Sequence, residues 1–548
     1  METQRLILMV ALMITGLLLW QSWEVRHYQP AQEAGYETAP STLPVDEGVP
    51  EMPPERVAEL SSQTQQQLTA PATAQTIHVV TDVLDIELSS AGGDVRKASL
   101  LKYPIELDEP EKVVQLMNDS MPRLFVGQSG LISRNAKLPD HHTVYRSEQS
   151  EYRLEEGEDE LTVNLSWQDE NGITVIKQLT FKRDSYVVDV DYQIDNNSGE
   201  PLSLAAYRQL QRGNYTIQGE NSFIYTFTGA VVSNNINKYE KIDFDDMTDW
   251  KQEQDYAQGG YVGMLQHYFT SAWLANENED NRFYTKALSD GRYVIGMSTP
   301  EKTLAAGERE TVQMRMFIGP KDQERMTAAS EDLRLTVDYG VLSLLADPLF
   351  WLLRWIHELL GNWGWSIIVL TIIIKLFFYP LTDKQYRSMA NLRKLQPKME
   401  AIKERHGDDR QKMGQAMMEL YKKEKVNPLA GCLPILVQIP VFIALYWVLV
   451  ESVEIRQADF IWWLNDLSSA DPYFILPVLM GISMFFMQKL SPKPSDPIQE
   501  KVMMSLPIVF TIFFAFFPAG LVLYWFFNNL LSIMQQWYIT KKVDAEGK

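Results

Sequence analysis

The stretch Trp363 to Pro380 (WGWSIIVLTIIIKLFFYP) is apolar apart from a single fixed charge, Lys375. With its flanks it is long enough to cross a bilayer. A cation held in hydrocarbon costs roughly 2.5–3.5 kcal/mol on insertion scales, so it needs water or a counter-charge. Snorkelling is the alternative. Lys375 lies eight residues before Asp383, about 12 Å along a helix, and a lysine stem covers about half that distance.

The rest of the chain divides sharply. Its 548 residues carry a formal net charge of −21, and that length allows two or three domains. From about Tyr28 to Gly340 the sequence is polar and acidic, with no membrane-length apolar run. From Leu349 onward apolar runs alternate with short charged loops. The acidity therefore belongs to a soluble domain and argues against nucleic acid as its partner. Cys432 is the only cysteine, which excludes an intrachain disulfide, and its apolar surroundings read as those of a small buried residue. No HExxH, GxSxG or phosphate loop occurs, and all seven histidines lie outside the apolar segments. His141-His142, in a polar loop, reads as solvated surface. Nothing points to covalent catalysis, a metal or a cofactor.

Leu6 to Trp20 runs into Gln21, Ser22 and Trp23 rather than a small-residue cleavage site, so residues 1–27 read as an uncleaved membrane anchor. Residues 28–75, rich in Pro, Glu, Gln, Thr and Ala, read as an extended tether. Over residues 76–320, alternating stretches such as Ile77–Leu88 and Tyr186–Ile194 are strand patterns. Gly92-Gly93, Asn171-Gly172 and Asn196-Asn197 supply turns between them. The expectation is an all-β sandwich. Residues 321–361 follow as a polar linking helix, Lys321–Leu335, and an amphipathic interfacial helix, Leu349–Leu360. In the latter Arg354, His357 and Glu358 face one way, with Leu352, Trp355, Ile356 and Leu359 the other.

Residues 362–540 hold five expected spans: Trp363–Leu381, Pro428–Val450, Tyr473–Leu490, Val502–Phe517 and Gly520–Tyr538. The last two are short for a core of about 30 Å. Between Asp383 and Val426 lie twelve Lys or Arg and seven acids, which places that loop in the cytoplasm. The C-terminal tail, 541–548, follows it, and the β domain is external. Within 384–426 the spacing of Met389, Leu392, Leu395, Met399 and Ile402, then Met413, Met417 and Leu420, predicts a helical hairpin. Pro397 would bend or break its first helix. The basic charge suits topology, and also ribosomal RNA or anionic lipid.

The polar residues of the spans are hydrogen-bonding groups. Thr371 lies one turn before Lys375 on the same face. Gln438 sits in the second core span, and Tyr524, Asn528 and Ser532 recur every four residues in the last. Singly, each suits helix–helix contact; together with Lys375 they could line one hydrated concavity. Met480, Met484, Phe485, Phe486, Phe513 and Phe514 suit contact with varied apolar partners or plain packing.

The segments Lys425–Pro440 (KVNPLAGCLPILVQIP), Val441–Tyr446, Asn362–Pro380, Asp471–Leu490 and Phe517–Tyr524 (FPAGLVLY) resemble the YidC membrane protein insertases, and the order of parts does so over essentially the whole chain. The resemblance implies an α-helical integral membrane core with a large all-β periplasmic domain in the bacterial inner membrane. It implies a hydrophilic groove, open to cytoplasm and lipid, in which Lys375 replaces the usual arginine, without that residue's bidentate fork. Thr371, Gln438 and Tyr524 match groove positions, and Trp525 stands where relatives often have tyrosine. Phe442, Met480 and Phe513 match a greasy slide for substrate helices. Implied partners are nascent membrane proteins, the Sec translocon, the ribosome through the cytoplasmic loops, and the lipid bilayer, with no small-molecule substrate or cofactor and no enzymatic activity. Two other classes fit less well: a small-solute transporter, for which internal repeats are lacking, and a non-translocating assembly scaffold.

Overall fold

The computed structural model describes residues 74–546, apart from 216–225, 253, 289, 407–408, 425–432 and 492–496. The expected anchor, the tether up to residue 73, and Cys432 lie outside the described residues. The chain forms two compact units, divided after Val337.

In the first unit, period-two patterning produces strands with one covered face. In Ile173–Lys182 and Val187–Asn196 every second residue is buried and those between are half-covered until the last, exposed Lys182. The strands assemble into an eleven-stranded and a nine-stranded sheet, paired antiparallel except where Thr76–Val80 runs parallel to Glu151–Arg153. The expected stretch Ile77–Leu88 is two strands, Thr76–Val80 and Leu84–Ser89, paired with each other. Thr81 causes the break, because its hydroxyl accepts the N–H groups of Val83 and Leu84 at 3.2 and 2.9 Å and turns the chain. Gly92 and Gly93 take left-handed backbone (φ 74° and 63°), and a Cβ on Gly92 would lie 2.5 Å from the His141 carbonyl oxygen.

A string of polar groups crosses this interior. Asp94 Oδ2 accepts from Gln128 Nε2 at 3.0 Å, Gln128 Oε1 from Gln209 Nε2 at 3.0 Å, and Gln209 Oε1 from the Tyr284 hydroxyl at 2.9 Å. Lys177, from the other sheet, donates to the Gly92 carbonyl at 2.7 Å and lies over the Tyr192 ring. Burial pushes the Asp94 carboxyl up to about 7 against the pull of Lys177, and burial likewise lowers the Lys177 ammonium.

The expected helix Lys321–Leu335 is instead α1, Gln323–Ala329, and a 3₁₀ segment, Glu331–Thr336. Extended Ser330 separates them, which lets Met326 and Leu333 both turn inward to full burial.

The second unit is helical: α2 Ser343–Leu360, α3 Trp363–Phe377, α4 Tyr379–His406, α5 Arg410–Lys423, α6 Leu433–Glu451, α7 Ile475–Leu490, α8 Pro497–Phe514 and α9 Ala519–Glu546. On α2 the protein-covered side and the side left open are distinct. Ala346, Phe350, Leu353 and Ile356 are buried, whereas Trp355 and Leu359 are exposed; His357 stacks on Trp363 with centroids 4.0 Å apart. Among the described residues no single helix is long and apolar enough to cross a membrane, although α3 and α4 together pass by length and composition across a 68° bend. That bend falls at Phe378, two residues before Pro380, whose ring excludes a straight continuation. Pro397 leaves α4 unbroken. Met413, Met417 and Leu420 of α5 are partly covered, and Lys398 pairs with Glu424 at 2.6 Å.

Candidate functional site

Three helices bring the polar residues of the apolar region together. Asn362 caps α3, accepting the Trp365 N–H at 3.1 Å. The start of α9 is strapped by the preceding loop, with Ala519 N–H donating to the Ser469 carbonyl and Gly520 N–H to that of Leu467. Gly520 is also where α3 comes close, since a Cβ there would touch Ile367 Cδ1 at 3.4 Å. With these ends fixed, the four-residue ladder Tyr524, Asn528 and Ser532 runs down one side of α9.

Each rung meets a polar neighbour. Lys375 Nζ donates to Ser532 Oγ at 2.8 Å, and Ser532 donates to the Asn528 carbonyl at 2.7 Å. Gln438 Nε2, from α6, donates to Asn528 Oδ1 at 2.8 Å. The Tyr524 hydroxyl is buried and lies beside Gln438, short of good hydrogen-bond geometry. Asn529, one residue off the ladder, turns to α7 and donates to Ser483 Oγ at 3.0 Å.

The ammonium is the chemically unusual group. Lys375 is only 7% exposed, and among the described residues no carboxylate pairs with it. An ammonium has three donors, and Ser532 takes one. A buried charge so sparsely bonded costs several kcal/mol unless water reaches it. Thr371, expected as its neighbour, is fully buried, and its hydroxyl donates back to Ile367 O at 2.6 Å. The site thus contains Lys375, Gln438, Asn528 and Ser532, with Thr371 in its wall. Gln438→Leu should remove the bond to the Asn528 carboxamide, which is only partly buried, and destabilise the helical unit by about 0.5–1.5 kcal/mol, read as a lower midpoint in thermal unfolding in detergent.

An aromatic seam adjoins it. Trp525 packs edge-on to Phe442 of α6 at 4.5 Å and against Phe514 of α8 at 4.9 Å; Phe442 also stacks on Tyr524 at 6.1 Å. Trp525 therefore serves here through ring contact. Phe513 is half exposed and Phe442 partly covered, whereas Met480 is fully buried. Sequence reasoning missed Tyr386, whose hydroxyl lies within reach of Ser532. It sits on α4, so only the bend after Phe377 brings it to the site, and Pro380 was the signal available.

Residues 76–352 match the family of the YidC periplasmic domain, and residues 355–546 match that of the 60Kd inner membrane protein. Over the full length of both chains the protein is 49% identical to the membrane protein insertase YidC of Thioalkalivibrio sulfidiphilus and 47% identical to that of Nitrosococcus oceani. A crystal structure of an active YidC insertase with the first transmembrane domain resolved aligns at 18% identity and a TM-score of 0.38, covering 85% of this chain and 93% of that one. The chain belongs to the YidC family of membrane protein insertases.

Proposed function

We propose that the Lys375 site is a hydrated groove through which this insertase lowers the barrier to moving a short polar segment across the inner membrane. One observation supports this above others: a buried ammonium whose sole hydrogen-bond partner among the described residues is the Ser532 hydroxyl. Its two remaining donors call for water or an arriving anionic group. In this reading Lys375 and its water hold the acidic flank of a nascent chain partway through a thinned bilayer, while Gln438 and Asn528 offer exchangeable hydrogen bonds.

The apolar part of the substrate leaves sideways along Phe442 and Phe513. Fully buried Met480 acts as backing for that wall in the conformation described. Burial of about 20 apolar residues drives completion. The membrane potential adds about 2.3 kcal/mol per acidic charge per 100 mV as a tail moves outward. The topology that goes with this has six spans, both termini and the α4–α5 hairpin in the cytoplasm, and the β domain in the periplasm. The basic hairpin would meet the ribosome, and the Sec translocon would share some substrates.

The test is photo-crosslinking from Phe442 and Phe513 to ribosome-bound nascent chains of increasing length. Adducts should appear over a narrow window of lengths, with far fewer from position 480. Adducts that do not depend on length would support a passive scaffold and refute the pathway.

A further inference from the structure

Residues 452–474, between α6 and α7, cross the ends of three helices and hold the most exposed tryptophan among the described residues, Trp462, at 84%. Two carboxylates make this loop rigid. Asp466 Oδ1 accepts from Gln457 N at 3.1 Å, Ser468 N at 2.8 Å and Ser468 Oγ at 2.6 Å, and Oδ2 accepts from Ser469 Oγ at 2.6 Å. Buried Asp471 accepts from Trp463 Nε1 at 3.0 Å, Tyr473 N at 3.0 Å and Leu476 N at 2.7 Å, the last in the first turn of α7. The Asn362 side chain, capping α3, donates to the carbonyls of Asp459 and Phe460.

Held this way, the loop sustains unfavourable backbone. Gln457, Trp462 and Phe474 have φ of 56°, 53° and 56°, three of the four left-handed non-glycine residues among those described. Each costs on the order of 1–3 kcal/mol and persists only where its surroundings over-determine it. Strain and exposure coincide at two aromatic tips, Trp462 and Tyr473-Phe474. Folding alone does not account for large apolar rings fixed outward. The second tip runs directly into the exposed apolar side of α7, Ile475, Val478 and Ile482, with no charge between. The loop sits at the Asn362 end of α3, which connects through α2 to the periplasmic domain.

We propose that residues 456–474 are a footing seated in the periplasmic leaflet, with Trp462, Tyr473 and Phe474 inserted at the headgroup boundary and lipid as the partner. Indole and phenol rings, apolar in body and polar at one point, partition to that boundary. Continuity with the exposed, uncharged apolar side of α7, in a chain of a membrane insertase family, selects lipid over a protein occupant. This goes beyond the groove reading and takes from the proposed function only its topology, which sets this loop on the periplasmic side.

Cys432 is the chain's only cysteine, so Cys432→Ser gives a silent background for the test. Trp462→Cys and Tyr473→Cys are each labelled with an environment-sensitive fluorophore in the full chain, in vesicles of phosphatidylethanolamine and phosphatidylglycerol. Gln313→Cys, exposed on a strand, is the aqueous reference. At 462 and 473 the emission should shift to the blue, nitroxide near the lipid headgroup should quench it, and iodide should lose most of the quenching it shows at 313. Iodide quenching equal to that at 313 would overturn the proposal. So would protection from both quenchers, which would mark a protein-covered surface. Two independent label sites keep the result readable if one variant fails to fold.

Discussion

Lys375→Glu should reduce insertion of a single-span substrate with an acidic translocated tail to background, measured as the protease-protected fraction in reconstituted vesicles. At an effective dielectric near 20, opposite charges 6 Å apart attract by about 3 kcal/mol, and reversing one sign turns this into repulsion of similar size. Losing the attraction alone, as in Lys375→Ala, should slow a rate-limiting step by roughly a hundredfold, since about 1.4 kcal/mol is worth a factor of ten. Lys375→Arg should retain most activity, because charge matters more than shape where one hydroxyl is the described partner. Ser532→Ala should cost only a few-fold. A substrate with an uncharged tail should be far less sensitive to all four changes. Full insertion by the glutamate variant would refute an electrostatic role for this side chain.

Lys177→Met should destabilise the β domain by about 3–5 kcal/mol, the usual consequence of removing one member of a buried charged pair. Asp94 would then keep Gln128 as its described hydrogen-bond partner, with its other oxygen, already unpaired and buried, unrelieved. The pH dependence has a definite sign. Because burial raises the Asp94 carboxyl to about 7, the folded domain holds a proton that the unfolded chain releases between about pH 4 and 7. Its contribution to stability is therefore greatest at the acid end and falls as pH rises through that window. Removing Lys177 removes the offsetting attraction, raises the carboxyl further and should carry the fall on to higher pH. Urea unfolding of residues 74–337 at pH 5 and pH 8 measures this, and the double change Asp94→Leu with Lys177→Met should recover much of the loss.

Much of this architecture was legible because periodicity survives folding. The strand patterns of the β domain, the apolar runs and the ladder Tyr524, Asn528 and Ser532 all depend on spacing along one element. What was not legible depends on contacts between elements. Nothing in α2 alone says that Trp355 faces outward, since that follows from which side α3 and α6 cover. The split at Ser330 comes from two apolar residues competing for the same interior. Thr371 lay at the right spacing for Lys375, but a hydroxyl in an apolar helix bonds its own backbone more readily than a side chain one turn away. For Met480 the sequence left packing and contact with apolar partners both open, because composition cannot tell which apolar side of α7 meets α9, and the structure buries it.

The break after Phe377 leaves Lys375 in the final turn of its helix, where backbone oxygens without helical partners gather fractional negative charge. Peptide dipoles can therefore steady the amine without a carboxylate. They supply only part of one charge, so the field it projects is not cancelled. A straight helix with an acidic neighbour would be more comfortable, and blind to an incoming anion.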